Sequence, residues 1–510
     1  MTAPILFGLE TEFGIARGQN ADLDVVAESI ALVRSATEPG VLMRWDYGEE
    51  NPHRDARGFE VAELRQDHDE AGYLDADSRR ELTFTEIKSD LVLTNGARFY
   101  NDHAHPEYCT PECTRFSDLV LHDRAGERIV MACAAARSRE TGETVRIYKN
   151  NTDFAGHSYG CHENYLVPRD LPWNSLANAV LAFLVTRQIF AGAGKFGFEE
   201  ENRLVGPGFQ ISQRSDFFSE LQSVDTMQCR PLINTRDEPH ADPARWRRFH
   251  VILGDANLSP FATWLKTGST ALVLEAILRE PRRPWPRLAS PLAAVRSISR
   301  DPRWRWELDL AASGPRPRPA TAIDVQAAYL AAVRERCDLS HPERRALADA
   351  WGQVLDDLAT DPARCANRLD WVAKHQLIRN FQNAEGIADN DPWLRSLDLE
   401  YHRLDPEAGL YFGLEQSGAF LGVPPDPDVE AAIHTPPDNT RAAIRGACIR
   451  RFRPAILAAQ WDHVTLQTRQ GPLRVDLTRL FDPHDVASTL AAINAAPTPD
   501  DLRFPSSRRE

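Results

Sequence analysis

The 510-residue chain has no surplus of basic residues: 59 Lys and Arg stand against 74 Asp and Glu, a formal charge of -15. A general nucleic-acid binder carries the opposite balance, which argues against that class, and an acidic partner would need a locally basic groove. Long hydrophobic runs are also missing. The most apolar stretch, around 176–190, is interrupted by Asn178, Arg187 and Gln188 and is too short and polar to cross a bilayer. The N-terminus runs directly into Pro4-Ile5-Leu6-Phe7-Gly8 without a basic segment ahead of an apolar one, so no signal peptide is expected. The eight cysteines form no Cys-x-x-Cys pair. Cys109 with Cys113, or Cys161 beside His162, leaves a zinc site open, but free thiols in a reducing cytoplasm are the expectation. No phosphate-binding Gly-x-x-x-x-Gly-Lys-Ser/Thr loop occurs. Gly192-Ala193-Gly194-Lys195 lacks the leading glycine and the following hydroxyl residue, so metals and arginines would have to hold any nucleotide phosphates. The Gly-x-Ser-x-Gly elbow of serine hydrolases is absent too.

What is present is an ordinary globular composition, 42% hydrophobic and 26% charged, in a chain long enough for a large domain and a smaller one. Residues 4–14 read as a strand, and 22–36 as a helix with Leu23, Val26, Ile30 and Val33 on one stripe. Residues 45–85 read as a long polar loop, of a length that is usually functional or disordered. Strand-like alternation returns at 90–108 and 145–168, and 177–192 reads as an apolar helix. The Pro-, Arg- and Trp-rich stretch 281–319 reads as an irregular surface excursion. Ser340-His341-Pro342-Glu343 looks like a capping box opening a helix that carries Leu347, Trp351, Val354, Leu355 and Leu358. The prolines at 424–427 and 436–437 suggest a boundary, dividing a large domain 1–425 from a small C-terminal α/β domain 435–510 with a hairpin and a helix at 484–495. Strands come early, helices gather late, and no regular βαβ rhythm appears, which predicts an α+β fold around a mainly antiparallel sheet.

Glu10 and Glu12 fall on one face of the first strand, where two like charges need a cation between them or open solvent around them. The apolar neighbours Ile5, Leu6, Phe7, Leu9 and Phe13 favour a buried strand. The densest cluster of functional groups is 95–108, in which Arg98, Tyr100 and Asp102 share a face that His105 and Glu107 could continue after a bend. Glu107 offers hard oxygen for Mg2+, Arg98 suits a phosphate, and a carboxylate held near metals can act as base or nucleophile. A polar hairpin end is the plainer reading of the same residues. His162 with Asn164, and Arg248 with His250, share strand faces. Lone strand histidines are commonly structural, but the arginine pairing points toward an anion or metal–phosphate site. Arg214 and Arg236 are further cations, unless each simply pairs with its neighbouring aspartate.

Several of these segments together resemble the Pup ligase and Pup deamidase/depupylase family, which has a glutamine-synthetase-like carboxylate–amine ligase fold. The resemblance rests on Gly8-Leu9-Glu10-Thr11-Glu12-Phe13-Gly14, on 95–108, on Lys149-Asn150-Asn151-Thr152-Asp153, and on 159–166, 233–242 and 250–257. It extends to Leu397-Asp398-Leu399-Glu400-Tyr401-His402 and 435–445. Arg44-Trp45-Asp46-Tyr47, Arg54-Asp55-Ala56-Arg57-Gly58-Phe59, Asp102-His103-Ala104-His105 and Pro436-Pro437-Asp438-Asn439-Thr440-Arg441 are similar to the deamidase/depupylase branch, with 45–85 as its extra loop. Asn151-Thr152-Asp153 and Gly160-Cys161-His162 are closer to the ligase branch. The resemblance implies a cytoplasmic hydrolase of amide or isopeptide bonds acting on the small modifier Pup and on pupylated proteins, with ATP (or ADP plus phosphate) and Mg2+ as cofactors. It implies Asp102 as the catalytic aspartate, as nucleophile or base. Glu10, Tyr100, Glu107, His162 and His250 would surround Mg2+ with Glu12 close by, Arg98, Thr110 and Arg248 would contact nucleotide phosphates, and Trp461 would border the adenine. Core packing is the plainer role for Trp461. An ATP-consuming Pup–protein ligase, or a carboxylate–amine ligase with another substrate, is the rival reading.

Overall fold

The computed structural model describes residues 5–19, 23–36, 40–64, 79, 81–200, 203–225, 230–311, 318–478 and 482–504. Its centre is a nine-stranded sheet. In chain order the strands are β1 (Phe7–Glu12), β2 (Gly40–Leu42), β3 (Leu91–Leu93), β4 (Arg98–Asp102), β5 (His105–Cys109), β6 (Cys161–Pro168), β7 (Phe218–Ser223), β8 (Arg230–Asn234) and β9 (Trp246–Val251). Across the sheet they lie in the order β7-β8-β9-β6-β1-β5-β4-β3-β2. Only β7 and β8 pair in parallel; every other neighbouring pair is antiparallel. The α+β class and the mainly antiparallel sheet expected from the sequence are therefore what the chain builds.

The first strand explains why the sheet has two unlike faces. Phe7, Leu9 and Thr11 are buried while Gly8, Glu10 and Glu12 alternate with them on the more open side. The buried face meets the main core, in which the apolar helices Trp173–Thr186 and Pro260–Arg279 pack on Phe7, Leu9, Tyr165, Phe249 and Val251. The open face carries the polar residues of β1, β4, β5, β6 and β9, so the functional groups gather there.

Two sequence expectations need correction. The described residues of 281–319 are not an irregular surface excursion. They include a helix, Pro291–Ser299, and the strand Glu307–Leu310, and they bury Trp285, Val295, Ile298, Trp306, Leu308 and Leu310 in the main core. Proline and arginine density hid a short amphipathic helix whose first residue is a proline, a position where proline is well tolerated. The helix Pro342–Thr360 buries Leu347, Trp351, Val354, Leu355 and Leu358 as expected, but no capping box starts it. Its N-cap is His341, without a side-chain cap, and Glu343 instead accepts the backbone N–H of Ser117.

The described part of 45–85 carries short pieces of regular structure. Trp45 bridges to Ala459, and a small hairpin pairs Arg54–Asp55 with Phe59–Glu60. The stretch closes on the short helix α1 (Phe84–Lys88); its residues 65–78 and 80 lie outside the described set. Near the C-terminus, the strands Ile456–Ala459, His463–Thr468 and Gly471–Asp476 form a sheet packed by the helices Arg441–Phe452 and Pro483–Ala495. Val41, Met43, Trp45 and Val92 contribute to the same apolar cluster. All seven described cysteines are free and buried. Among the described residues, no helix is long and apolar enough to cross a membrane.

Candidate active site

Strand register assembles the site. Glu10 lies opposite His162 on β6, and Asn164 of β6 lies opposite His250 on β9. On the other side Glu12 lies opposite Glu107 on β5, and Tyr100 of β4 is paired with Glu107. Side chains two residues apart on a strand share a face, so one short strand places one carboxylate in each of two adjoining groups.

The first group is Glu10, His162 and His250, whose ligand atoms all lie within 4.8 Å of one another. The Glu10 Oε2 atom is 3.4 Å from both His162 Nδ1 and His250 Nε2, and Asn164 donates to Oε1 at 2.8 Å. Arg248 Nη1 stands 3.8 Å from Oε1. Burial disfavours the Glu10 carboxylate, but His250, His162 and Arg248 outweigh it and hold its pKa well below the usual range. Burial, with Arg248 beside it, pushes the His250 pKa down to about 3. His250 is therefore a neutral imidazole at pH 7, and neither ring nitrogen has a well-formed hydrogen bond. A neutral, buried, unsatisfied imidazole beside an ionised carboxylate fits a divalent cation.

The second group is Glu12, Asp102 and Glu107, again with ligand atoms within 4.8 Å. Three carboxylates in one place repel each other. Burial, together with Asp102, Glu10 and Glu12, raises the Glu107 pKa well above the ordinary value. Glu107 accepts hydrogen bonds from the Tyr100 hydroxyl at 2.9 Å and the Cys109 thiol at 3.2 Å. Burial also opposes ionisation of Asp102, but Lys88 and His103 more than compensate and keep its pKa well below the usual range. This oxygen-rich set suits Mg2+, which prefers hard ligands and keeps several waters.

A cleft opens beside Glu10 and is lined by Gly8, Thr110, His240, Arg248, Arg441 and Trp461, among others. Trp461 packs edge-on against Trp45, ring centroids 5.4 Å apart, so the C-terminal unit walls this cleft. Thr110 Oγ1 accepts the Leu9 N–H at 3.0 Å at its floor. A Cβ at Gly8 would sit 3.2 Å from that hydroxyl oxygen, a tight contact that glycine avoids.

The sequence-derived residues thus fall mostly into one place: Glu10, Glu12, Tyr100, Asp102, Glu107, His162, Arg248 and His250 share the open sheet face, with Thr110 and Trp461 along the adjoining cleft. Arg98 is set apart by its partners. Its guanidinium lies 4.0 Å from the Trp45 ring centre and 3.8 Å from that of Tyr100, and it bonds Asp90 and the Tyr47 hydroxyl. Arg214 and Arg236 do not pair with their neighbouring aspartates. Arg214 donates to the Ile252 carbonyl at 2.6 Å, and Arg236 donates to the Val224 carbonyl. Asp216 is taken by Lys195 and Arg300, and Asp237 by Arg169. Lys195 of the Gly-Ala-Gly-Lys stretch is fully buried against Glu199 and Asp216. Sequence reasoning missed Lys88, whose amine lies 2.6 Å from Asp102 Oδ1. The Thr83-x-x-Glu86 pattern, which forms a full capping box here, was a signal that could have placed its helix.

A family profile described as Pup-ligase protein matches residues 5–465. The chain belongs to this family. The depupylase of Acidothermus cellulolyticus is 43% identical over 472 residues, covering 90% of each chain. The Pup deamidase/depupylase of Mycobacterium tuberculosis is 40% identical over 476 residues, again with 90% of each covered. Among solved structures, the complex between Pup and its ligase PafA superposes with a TM-score of 0.76 at 29% identity, covering 96% of this chain and 92% of that one.

Proposed function

We propose that this chain is a cytoplasmic amidohydrolase that cleaves the isopeptide bond between Pup and a substrate lysine and deamidates a C-terminal glutamine of Pup, with ATP or its ADP-and-phosphate state and Mg2+ as cofactors. The observation that carries this reading is the pair of ligand groups arranged on either side of β1, with Asp102 held ionised in one of them and an aromatic-walled cleft beside the other. The depupylase relatives, which span nine-tenths of the chain, favour the hydrolytic branch.

Glu10, His162 and His250 would hold one Mg2+, and Glu12 and Glu107 a second, with Tyr100 bonding Glu107 from behind. The bound ions and phosphate would supply fixed positive charge and hydrogen-bonding groups against the scissile carbonyl. Asp102 delivers the attack, directly or by taking a proton from water, and the amide plus one water become a carboxylate and an amine. Its lowered pKa means that no deprotonation precedes attack at neutral pH. Trp461 offers a π-face to a flat base, and Arg248, poised between Glu10 and Glu238, is a cation lining the cleft for phosphate. Arg98 serves this site as a strut between Trp45 and Tyr100 in the described arrangement, and contacts phosphate only if Asp90 releases it.

The test is incubation with ATP, Mg2+ and either glutamine-ended Pup or a lysine-linked Pup conjugate, reading mass change and ADP together. Ammonia or free lysine without accumulating ADP supports the hydrolase. ADP formed in step with a new conjugate identifies the ligase, the reading favoured by the likeness to the Pup–PafA structure.

A further inference from the structure

Asp102 is surrounded by the ingredients of a metal site, yet it has a partner that Glu12 and Glu107 lack. Lys88 is the last residue of α1, and its Nζ donates to Asp102 Oδ1 at 2.6 Å while lying 5.5 Å from the Tyr100 ring centre. The helix of five residues is anchored from four sides. Thr83 and Glu86 cap its start reciprocally. Arg34 reaches over from the helix Val25–Arg34 to donate to Ser89 Oγ at 3.0 Å and to the Glu86 carbonyl at 2.8 Å. Asn101, the residue before Asp102, donates its side-chain amide to the Ile87 carbonyl at 3.1 Å. Ile87 packs with Val26, Ile30 and Ala104. At its end Ser89 adopts a left-handed φ of 49°, which turns the chain back toward the sheet. These contacts fix a lysine amine at one oxygen of Asp102. The other oxygen, Oδ2, meets His103 Nδ1 at 3.2 Å across the turn between β4 and β5.

We propose that Lys88 is a positioning residue that reserves Asp102 for chemistry, holding one carboxylate oxygen so that the aspartate does not swing in as a third carboxylate ligand beside Glu12 and Glu107. The inference rests on the assignment of Asp102 as the attacking carboxylate. The helix that presents Lys88 begins at the end of the 45–85 stretch and runs past it. Lys88 does not touch substrate in this role. Removing it frees Asp102 to rotate about its own side-chain bonds, and displacement of a reacting group by about 1 Å costs about 100-fold in rate.

The experiment compares wild type, Lys88→Met, Lys88→Arg and Asp102→Asn in the full chain with a fluorescent Pup–lysine conjugate, and measures Mn2+ binding to each by calorimetry. For Lys88→Met the expected result is a fall in kcat of about 100-fold, an unchanged KM, and Mn2+ affinity that is equal or tighter. Lys88→Arg, which restores a cation at longer reach, recovers part of the rate. A kcat that is unchanged or raised by Lys88→Met overturns the proposal, the latter because it would make the lysine a mask over Asp102. A loss of Mn2+ binding that parallels the loss of rate also overturns it, by giving Lys88 a purely structural role in the metal site. If Lys88→Met does not fold, Lys88→Gln carries the same comparison. An active Asp102→Asn would defeat the underlying assignment instead, and so separates the two failures.

Discussion

Glu112 is the most exacting test of how the cleft is held together. It follows β5 and is clamped by two arginines of the helix Arg441–Phe452: Arg441 Nε donates to Oε1 at 2.6 Å and Arg445 Nη2 to Oε2 at 2.6 Å. Arg445 continues to the Gly96 carbonyl and the Trp461 carbonyl, and its guanidinium lies 4.8 Å from the Trp461 ring centre. Burial raises the Glu112 pKa, but Arg445 and Arg441 prevail and bring it from the ordinary 4.5 down to about 2. That drop corresponds to about 3 kcal/mol of folding stability, similar to the roughly 3–5 kcal/mol lost when one partner of a buried pair is removed. Because the folded pKa is depressed, the contribution is complete above pH 4.5 and fades as the pH falls toward 2. Glu112→Gln should therefore unfold at lower urea with a loss of about 3 kcal/mol at pH 7, and the gap from wild type should narrow once the pH drops below 4.5. Nucleotide affinity should weaken in the same variant, since Arg445 loses the partner that sets it under Trp461. A gap below about 1 kcal/mol at pH 7, the size of an exposed pair, would refute the reasoning. So would a gap that persists undiminished into acid.

The other predictions concern the site itself. Asp102→Asn should lose about 100- to 10,000-fold in hydrolysis while remaining folded and binding nucleotide; a smaller loss removes Asp102 from the reaction. Trp461→Ala should weaken nucleotide affinity by about 1–3 kcal/mol and Trp461→Phe much less, as read by calorimetry; equal affinity in all three would return Trp461 to simple packing. Because Glu107 has a raised pKa, divalent binding should expel a proton and tighten as the pH rises. Calorimetric enthalpies for Mn2+ should then change with the ionisation enthalpy of the buffer, and enthalpies independent of the buffer would contradict this.

How far the sequence carried the argument depends on the range of the interactions involved. Alternation on β1 is local, so Glu10 and Glu12 could be assigned to one face from spacing alone, as could Tyr100 with Asp102 and Arg248 with His250. That these faces coincide is a matter of register between strands as distant as β1 and β9, which no local pattern encodes; the family resemblance supplied it. Two kinds of residue escaped. Lys88 sat in a stretch whose polarity masked a five-residue helix, too short for periodicity to reveal. The partners of Glu112 lie in the helix Arg441–Phe452, and an ion pair separated by 329 residues leaves no trace in either segment. The misreading of 281–319 has the opposite cause: proline and arginine gave a correct local impression of breaks, while Trp285 and Trp306 were the apolar anchors that fold the stretch into the core.

Charge balance across β1 explains why its two carboxylates have different company. Glu10 faces two imidazoles, Asn164 and Arg248, and its carboxylate is held ionised. Glu12 has the His105 Nδ1 atom at 3.4 Å but also faces Asp102 and Glu107, and its group contains three acids within 4.8 Å. Without added charge such a group relieves its repulsion by protonating one member, and Glu107, the most buried, is the one whose pKa rises. Lys88 is the counter-charge that keeps Asp102 from being that member. Burial and its acidic neighbours thus push the Glu107 pKa up, while Lys88 and His103 hold that of Asp102 down within the same cluster. A slip of β1 by one residue would turn Glu10 and Glu12 into the apolar core and put Leu9 and Thr11 in their place, removing both groups at once. The chemistry therefore depends on strand register more than on any single side chain, and that register is held from the opposite face by Phe7 and Leu9 in the main core.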